Sequence, residues 1–394
     1  MSEYSSLSQQ ELAVVVPELL LIGQLIDRSG MAWCISALGR EKMAQIAIEE
    51  WMAASPIYTR RMQRALRFEG DDVVTIFKGL QLDIGAPPQF MDFRYSVEDP
   101  WHGRFELAHC GALMDVEPMG PDYVRSMCHD IEDPTFDATA VATNPRAQVR
   151  PVHRPPRTPA GRTPHCEWTV TISDDHPPVD FSAGCLALQD SRAATLALDP
   201  IDPSSPGRAD YSGPLLSDLD FAEFSHPALV RIADEVCLQM HLLFLGFRRA
   251  VSSRLPDAEA TEICVKQLTG IAGVAASRLR AALSLPSSRE GAERVLALHP
   301  LFNPVAYVAT ADSPAHLDGA WVSLVGPAEV RPLQAIVQAV DPHLDVVVSG
   351  SPWTVSVVSR PDAAEELGEV AVTRFSSGTD FAFEPRRSLP ITPV

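Results

Sequence analysis

Apolar positions recur at helical spacing over the first eighty residues. Leu21, Leu25 and Ile26, followed by Met31, Ile35 and Leu38, mark one face, and Gly39 punctuates the pattern. Met43, Ile46, Ala47 and Met52 carry it on to Ser55-Pro56, where a break is predicted. Further helices are predicted over 58–66 and 71–80. From Phe90 the period falls to two: Met91, Phe93 and Tyr95 alternate with polar neighbours, as do Phe105 and Leu107. A short helix is predicted over 121–129, with Pro121 in its first turn and Val124 and Cys128 on a shared face. Alternation returns at Phe136, Ala138 and Ala140 and at Ala147 and Val149. It returns again over 166–172, where Cys166, Trp168, Val170 and Ile172 share one face. The pattern predicts helices followed by a mostly antiparallel sheet, an α+β class.

Residues 173–225 are rich in Pro, Asp and Ser and predict a largely irregular connection, with one strand at 185–188. Ser225 is placed to cap a helix. Helices are predicted over 227–254, 257–284 and 288–298, and beyond Pro304 strands with one helix over 329–340. The chain therefore divides into a first α+β domain (1–175), a Pro-rich linker (176–225) and a second α+β part (226–394).

The two parts resemble each other in order and punctuation. QFMDFRY (89–95) matches LFNPVAY (301–307). Asp133-Pro134 matches Asp341-Pro342, and Asn144-Pro145 matches Ser351-Pro352. This predicts a degenerate duplication in which the second copy is structural or regulatory. Where the first has Cys128-His129-Asp130 the second has Val337-Gln338-Ala339, and where the first has His109-Cys110 the second has Leu324-Val325.

Composition narrows the classes of function. At 394 residues, 46% hydrophobic and 21% charged, the chain has the make-up of a globular protein with room for more than one core. A formal net charge of −19 argues against nucleic acid and anionic membranes as partners. The apolar run AVVVPELLLIGQLI carries Pro17 and Glu18 and reads as a core helix, not a signal peptide. No stretch reaches the roughly 20 apolar residues of a membrane span. Seven cysteines, an odd number at scattered positions, predict free thiols and a cytoplasmic setting.

Three of those cysteines sit beside histidines: His109-Cys110, Cys128-His129 and His165-Cys166. A thiolate with an imidazole base is a common nucleophilic pair, and the same residue types bind zinc and iron. Cys110 ends a predicted strand before Gly111, which predicts the most reactive thiol of the chain. On strands, His109 would point away from Cys110 and His165 away from Cys166. On a helix, Cys128 and His129 point about 100° apart, so His129 could serve Cys110 across a cleft, with Asp130 flanking it. Arg150, His153 and Arg154 form a basic cluster suited to a carboxylate. Zinc spacing such as C-x2-C is absent, as are the common nucleotide, zincin and hydrolase-elbow motifs.

These residues carry a resemblance to a known family. The tract Leu38-Gly39-Arg40-Glu41, Cys110 after a strand, Cys128 with Asp130, the Asn144-Pro145 turn and the Gly161…Cys166 strand start before Trp168 resemble the L-2-amino-thiazoline-4-carboxylic acid hydrolase family, over roughly residues 20–175. The Gly…Cys-x-aromatic ending is also similar to ligand-binding domains of the 4-vinyl-reductase type. The resemblance implies hydrolysis of a C–N bond in a small cyclic amidine or amide-like substrate, without a cofactor. Cys110 or Cys128 would be the nucleophile, His129 the base and Asp130 its orienting group. Substrate contacts would fall to Asn144, Arg146, Arg150, His153 and Cys166. The alternative is a module that binds a small ligand, a haem or a metal without catalysis.

Overall fold

Ser8 starts the first long helix. Its hydroxyl accepts the Glu11 amide at 3.2 Å, and the Glu11 carboxylate accepts the Ser8 amide at 2.7 Å, a reciprocal cap. Helix α1 (Gln9–Leu38) follows. In this computed structural model, which describes residues 2–308, 321–350 and 354–375, every residue from 19 to 31 is buried. A helix enclosed on all sides is the centre of a core and not its rim. Gly39, at φ +83°, turns the chain into α2 (Arg40–Ala65), a backbone angle that side-chain-bearing residues disfavour. The predicted break at Ser55-Pro56 is corrected: α2 runs through both, and both are buried. The ring removes one intrahelical bond, and packing along the rest of the helix outweighs that loss. Asp72 then caps α3 (Val73–Leu80), its carboxylate accepting the Thr75 amide at 2.8 Å.

A four-stranded antiparallel sheet follows, in the order β1-β2-β4-β3. Its strands are β1 (Met91–Asp99), β2 (His102–Cys110), β3 (Ala147–His153) and β4 (Cys166–Ile172). β4 has the predicted alternation, with Cys166, Trp168, Val170 and Ile172 all buried. Between β2 and β3 lie α4 (Gly111–Val116), α5 (Pro121–Arg125), a π turn over Ser126–Ile131, and α6 (Glu132–Val141). The strand predicted at Phe136–Ala140 is corrected to this helix. Residues 136 and 140 are also i,i+4 partners, and short apolar runs fit either period. Phe136 of α6 packs on Phe105 and Trp168 of the sheet, with ring centroids 5.2 and 5.0 Å apart.

Beyond the sheet come α7 (Ala183–Leu188) and α8 (Arg192–Thr195), then α9 (His226–Ser252), α10 (Asp257–Ala282) and α11 (Arg289–Leu298). The strand predicted at 185–188 is corrected to α7, capped by Ser182. The short α12 (Val305–Val308) precedes α13 (Arg331–Val340), the hairpin β5 (Leu344–Ser349) and β6 (Thr354–Ser359), and α14 (Gly368–Phe375). The class is α+β, helices first and a small antiparallel sheet after them. α1 packs on α2, α9 and α10; α2 packs on α9; α10 packs on α13 and α14. The long helices of the two parts thus share one continuous core. Buried Arg61 of α2 pins the connecting segment: its guanidinium pairs with Glu235 of α9 at 2.8 Å and donates to the Ala194 and Leu196 carbonyls at 2.8 and 2.9 Å.

A duplication is not established. The order helix, two antiparallel strands recurs as α6-β3-β4 and α13-β5-β6. The finer matches fail. Residues 89–95 enter β1 while 301–307 are helical turns, and Asp133-Pro134 lies inside α6 while Asp341-Pro342 follows α13. Ser351-Pro352 lies outside the described residues.

Candidate functional site

The residues singled out from the sequence divide into two groups. Cys110, Cys128 and Cys166 come together. The charges of Glu132, Cys110 and Cys166 act on Cys128, and those of Glu132 and Cys110 act on Cys166. All three thiols are buried. Cys110 is the N-cap of α4, its sulfur accepting the Leu113 amide at 3.4 Å, and burial pushes its pKa up to about 12. Burial pushes Cys128 and Cys166 well above the ordinary thiol range. A thiol held protonated is a poor nucleophile. Among the described residues no group of three or more His, Cys, Asp and Glu is arranged to hold a metal ion.

The other group is dispersed. The His129 Nε2–H donates to the Pro155 carbonyl at 2.7 Å, and Asp130 is exposed. Asn144 closes its own turn, accepting the Arg146 amide at 2.9 Å and donating to Asp71 O at 3.0 Å. Arg146 donates to the carbonyls of Asp174 and His176. Arg150 pairs with Asp137 at 2.8 Å, and Arg154 pairs with Asp133. His153 stands 3.9 Å from Glu167, with its pKa lowered by burial. Each cation offered for a substrate carboxylate already serves the protein's own acceptors.

None of these residues lines a cavity of about 1040 Å³ between the helices and the sheet. It is walled by α1 and α2 on one side and by β1, β2 and the α4–α6 segment on the other, with α14 at one edge. Six of the chain's ten methionines line it: Met31, Met43, Met91, Met114, Met119 and Met127. Thioether side chains are flexible and polarisable and adapt to irregular apolar shapes. The π turn over Ser126–Ile131 contributes Ser126, Met127 and Ile131, while Cys128 of the same turn faces the core. Such single-turn bulges often mark functional sites.

Several ionisable groups line this largely apolar space. Arg28 of α1 lies with its Nη2 3.2 Å from Asp115 Oδ2 of α4, both side chains close to fully buried. The pair lacks hydrogen-bond geometry: Arg28 Nε and Nη2 and Asp115 Oδ2 all stay without a hydrogen-bond partner among the described protein atoms. Burial raises Asp115 to about 6. Glu132, at the start of α6, has a sealed and unpartnered Oε2, and burial raises it to about 8 against the pull of Arg154 and Arg28. At the α2 end, Asp83 accepts from the Tyr58 hydroxyl at 2.8 Å and the Gly85 amide at 2.6 Å, and burial still raises it to about 6. Trp51 donates to Asp27 at 3.2 Å.

Sequence reasoning passed over these groups. One signal was present: Gln24, Asp27 and Arg28 interrupt the most apolar helical stretch of the chain, and charges in such a stretch are buried for a reason. Compared with models of protein families, with curated proteins and with solved structures, the chain matches none.

Proposed function

We propose that this chain binds a small, mostly apolar molecule in the cavity between α1, α2 and the sheet. The observation that carries this reading is the methionine-rich cavity of about 1040 Å³ with a few buried polar groups in its wall. Ligand sites are typically concave, largely apolar and provided with a small number of placed polar atoms, at volumes of roughly 300–1,000 Å³. Small-molecule binding was the alternative raised by the sequence. Hydrolysis through a cysteine lacks comparable support, because the thiols are sealed and protonated and stand outside this space.

Trp51 and Tyr58 lie in the wall and report occupancy. Titration of the purified protein with 1-anilinonaphthalene-8-sulfonate should give saturable fluorescence enhancement at about one probe per chain. Native mass spectrometry before and after organic extraction would reveal a co-purified molecule. Ala32→Trp, which fills the cavity from α1, should abolish the saturable phase while the circular dichroism spectrum is kept. Probe binding unchanged in that variant would place the ligand elsewhere and sink the reading.

A further inference from the structure

At the α2 end of the cavity the charges do not balance. Asp27 of α1 and Asp83, just past α3, both line it, and each is only 4% exposed. Each spends one oxygen on the protein's own donors. Asp27 Oδ1 accepts from the Trp51 indole at 3.2 Å, and Asp83 Oδ1 accepts from the Tyr58 hydroxyl and the Gly85 amide. Neither Oδ2 has a protein donor among the described residues, and neither belongs to the sealed atoms of the wall. No salt bridge reaches either carboxyl among the described residues, because the cations of the same wall are engaged elsewhere. Arg28 stands 3.2 Å from Asp115, and Arg374 pairs with Glu366. One indole joins the two acids. Trp51 bonds Asp27 through its Nε1–H, and its far edge lies by Gly85. A Cβ at Gly85 would stand 3.3 Å from Trp51 Cζ3 and 3.1 Å from Asp83 Oδ1, so glycine keeps that space clear. Glu50 of α2 is fully buried beside Asp27, and burial and that neighbour raise it well above the usual carboxyl range. Glu50 is held neutral, so the pair carries a single negative charge, and Asp27 is the member that lines the cavity.

We propose that the Asp27–Asp83 end receives the ammonium head of a ligand with an apolar body, in chemical class a primary alkyl amine. The inference rests on the ligand-binding reading above and adds the head group to it. Buried carboxylates are ordinarily paired with a cation or bound to a metal. Among the described residues no group of three or more His, Cys, Asp and Glu is arranged for a metal ion, which leaves an organic cation as the class. A primary ammonium carries three N–H donors on a compact charge. It can bond the Oδ2 of one acid while its charge offsets the other. The rings of Trp51 and Tyr58 add attraction, since aromatic side chains favour cations beside them. A carboxylate head would meet like charge at this end, and a hydroxyl would bring one donor and no charge. The methionines of the wall hold the apolar body.

The test compares octylamine, octanol and octanoate, equal in chain length, by displacement of the uncharged probe N-phenyl-1-naphthylamine from the full chain at pH 7.5. Octylamine is expected to bind about tenfold more tightly than octanol, and octanoate more weakly than either. Asp27→Asn and Asp83→Asn each keep the side-chain shape and the Oδ1 acceptor. Each should weaken octylamine about tenfold and leave octanol within about twofold; thermal melts check that both variants fold. The ranking in the native protein should also persist in about 0.5 M sodium chloride, because a buried charge pair escapes most screening. Its loss in salt would trace the preference to the overall negative charge of the chain and overturn the inference. So would an amine preference that survives in both variants. Equal affinity for the three head groups, or preference for octanoate, would overturn the ammonium inference and leave the apolar site standing. Displacement by none of the three would overturn the ligand-binding reading and this inference with it.

Discussion

Arg28 and Asp115 face each other across 3.2 Å, and yet the contact is not a hydrogen bond. A buried ion pair offsets its desolvation only when its geometry is good and its remaining donors and acceptors are met. Here they are not, so this end of the cavity is built at a cost to the fold. Four consequences of the packing around it, and of the core behind it, can be measured.

Glu132 carries a pH-dependent cost. Its pKa is raised to about 8 in the fold, above its value in the unfolded chain. Its contribution is therefore fully present below about pH 4.5 and is lost as pH rises toward 8. Glu132→Gln removes this loss. Urea unfolding at pH 5 and pH 8.5 should show the variant gaining on the native protein at the higher pH by roughly 1–2 kcal/mol. That is less than the full shift implies, because the side chain keeps some contact with solvent.

Two buried histidines act in the opposite sense. His241 donates to the Asn303 carbonyl and His299 to the Ala272 carbonyl, and burial pushes both down to about 4. A depressed histidine contributes stability that is present above its unfolded value near 6.5 and is lost as pH falls toward 4. The raised carboxyls of Glu132, Asp83, Asp115 and Asp234 lose stability upward over an overlapping range and outnumber the two histidines, so urea midpoints should fall from about pH 5 to 8, less steeply than the carboxyls alone would give. A profile that rises over that range would contradict this balance.

The thiols should be slow. All seven cysteines are buried, and each has its pKa raised by burial. Alkylation with iodoacetamide at pH 7.5, followed by peptide mapping, should give native rates at least about a hundredfold below those in urea, because labelling waits on opening of the fold. Cys185, on the short helix α7 of the connecting segment, should label first. Fast labelling of Cys110 would restore the nucleophile expected from the sequence.

Close helix packing gives a fourth test. A Cβ at Gly246 of α9 would stand 2.9 Å from the backbone oxygen of Glu50 and 3.0 Å from its Cα on α2. Backbone cannot rotate out of the way, so the two helices must separate. Gly246→Ala should lower stability by about 1–3 kcal/mol, as overpacking does elsewhere, despite the better helix propensity of alanine. Thermal denaturation reads the change.

Much of the fold could be read from the pattern of residues. β4 was visible because Cys166, Trp168, Val170 and Ile172 alternate against polar partners over a full strand length. α9 and α10 were visible from long periodic runs and from Ser225 at the cap. Errors came where local pattern was ambiguous or overruled: Phe136–Ala140 fits two periods, the four residues at 185–188 are too short to decide, and Pro56 is overruled by packing along α2. The cavity was legible only at Asp27 and Arg28. Asp115 and Glu132 look like ordinary surface acids in the sequence. Their burial depends on where α4 settles against α1 and α6 against α2, which no local pattern encodes. The Cys-His neighbours were real signals of proximity for the three sulfurs, but adjacency said nothing of solvent access.

The cavity wall draws on residue 24 near one end of the described chain and on residues 371–374 near the other. α14 supplies that last edge by packing on α10 and α1. The pocket is therefore closed by segments far apart in the chain and forms only when both are in place. Without α14, the faces of α1 and α10 that it covers are open to water and to any apolar surface nearby. Truncation before α14 should then leave apolar surface uncovered and promote association of the shortened chain.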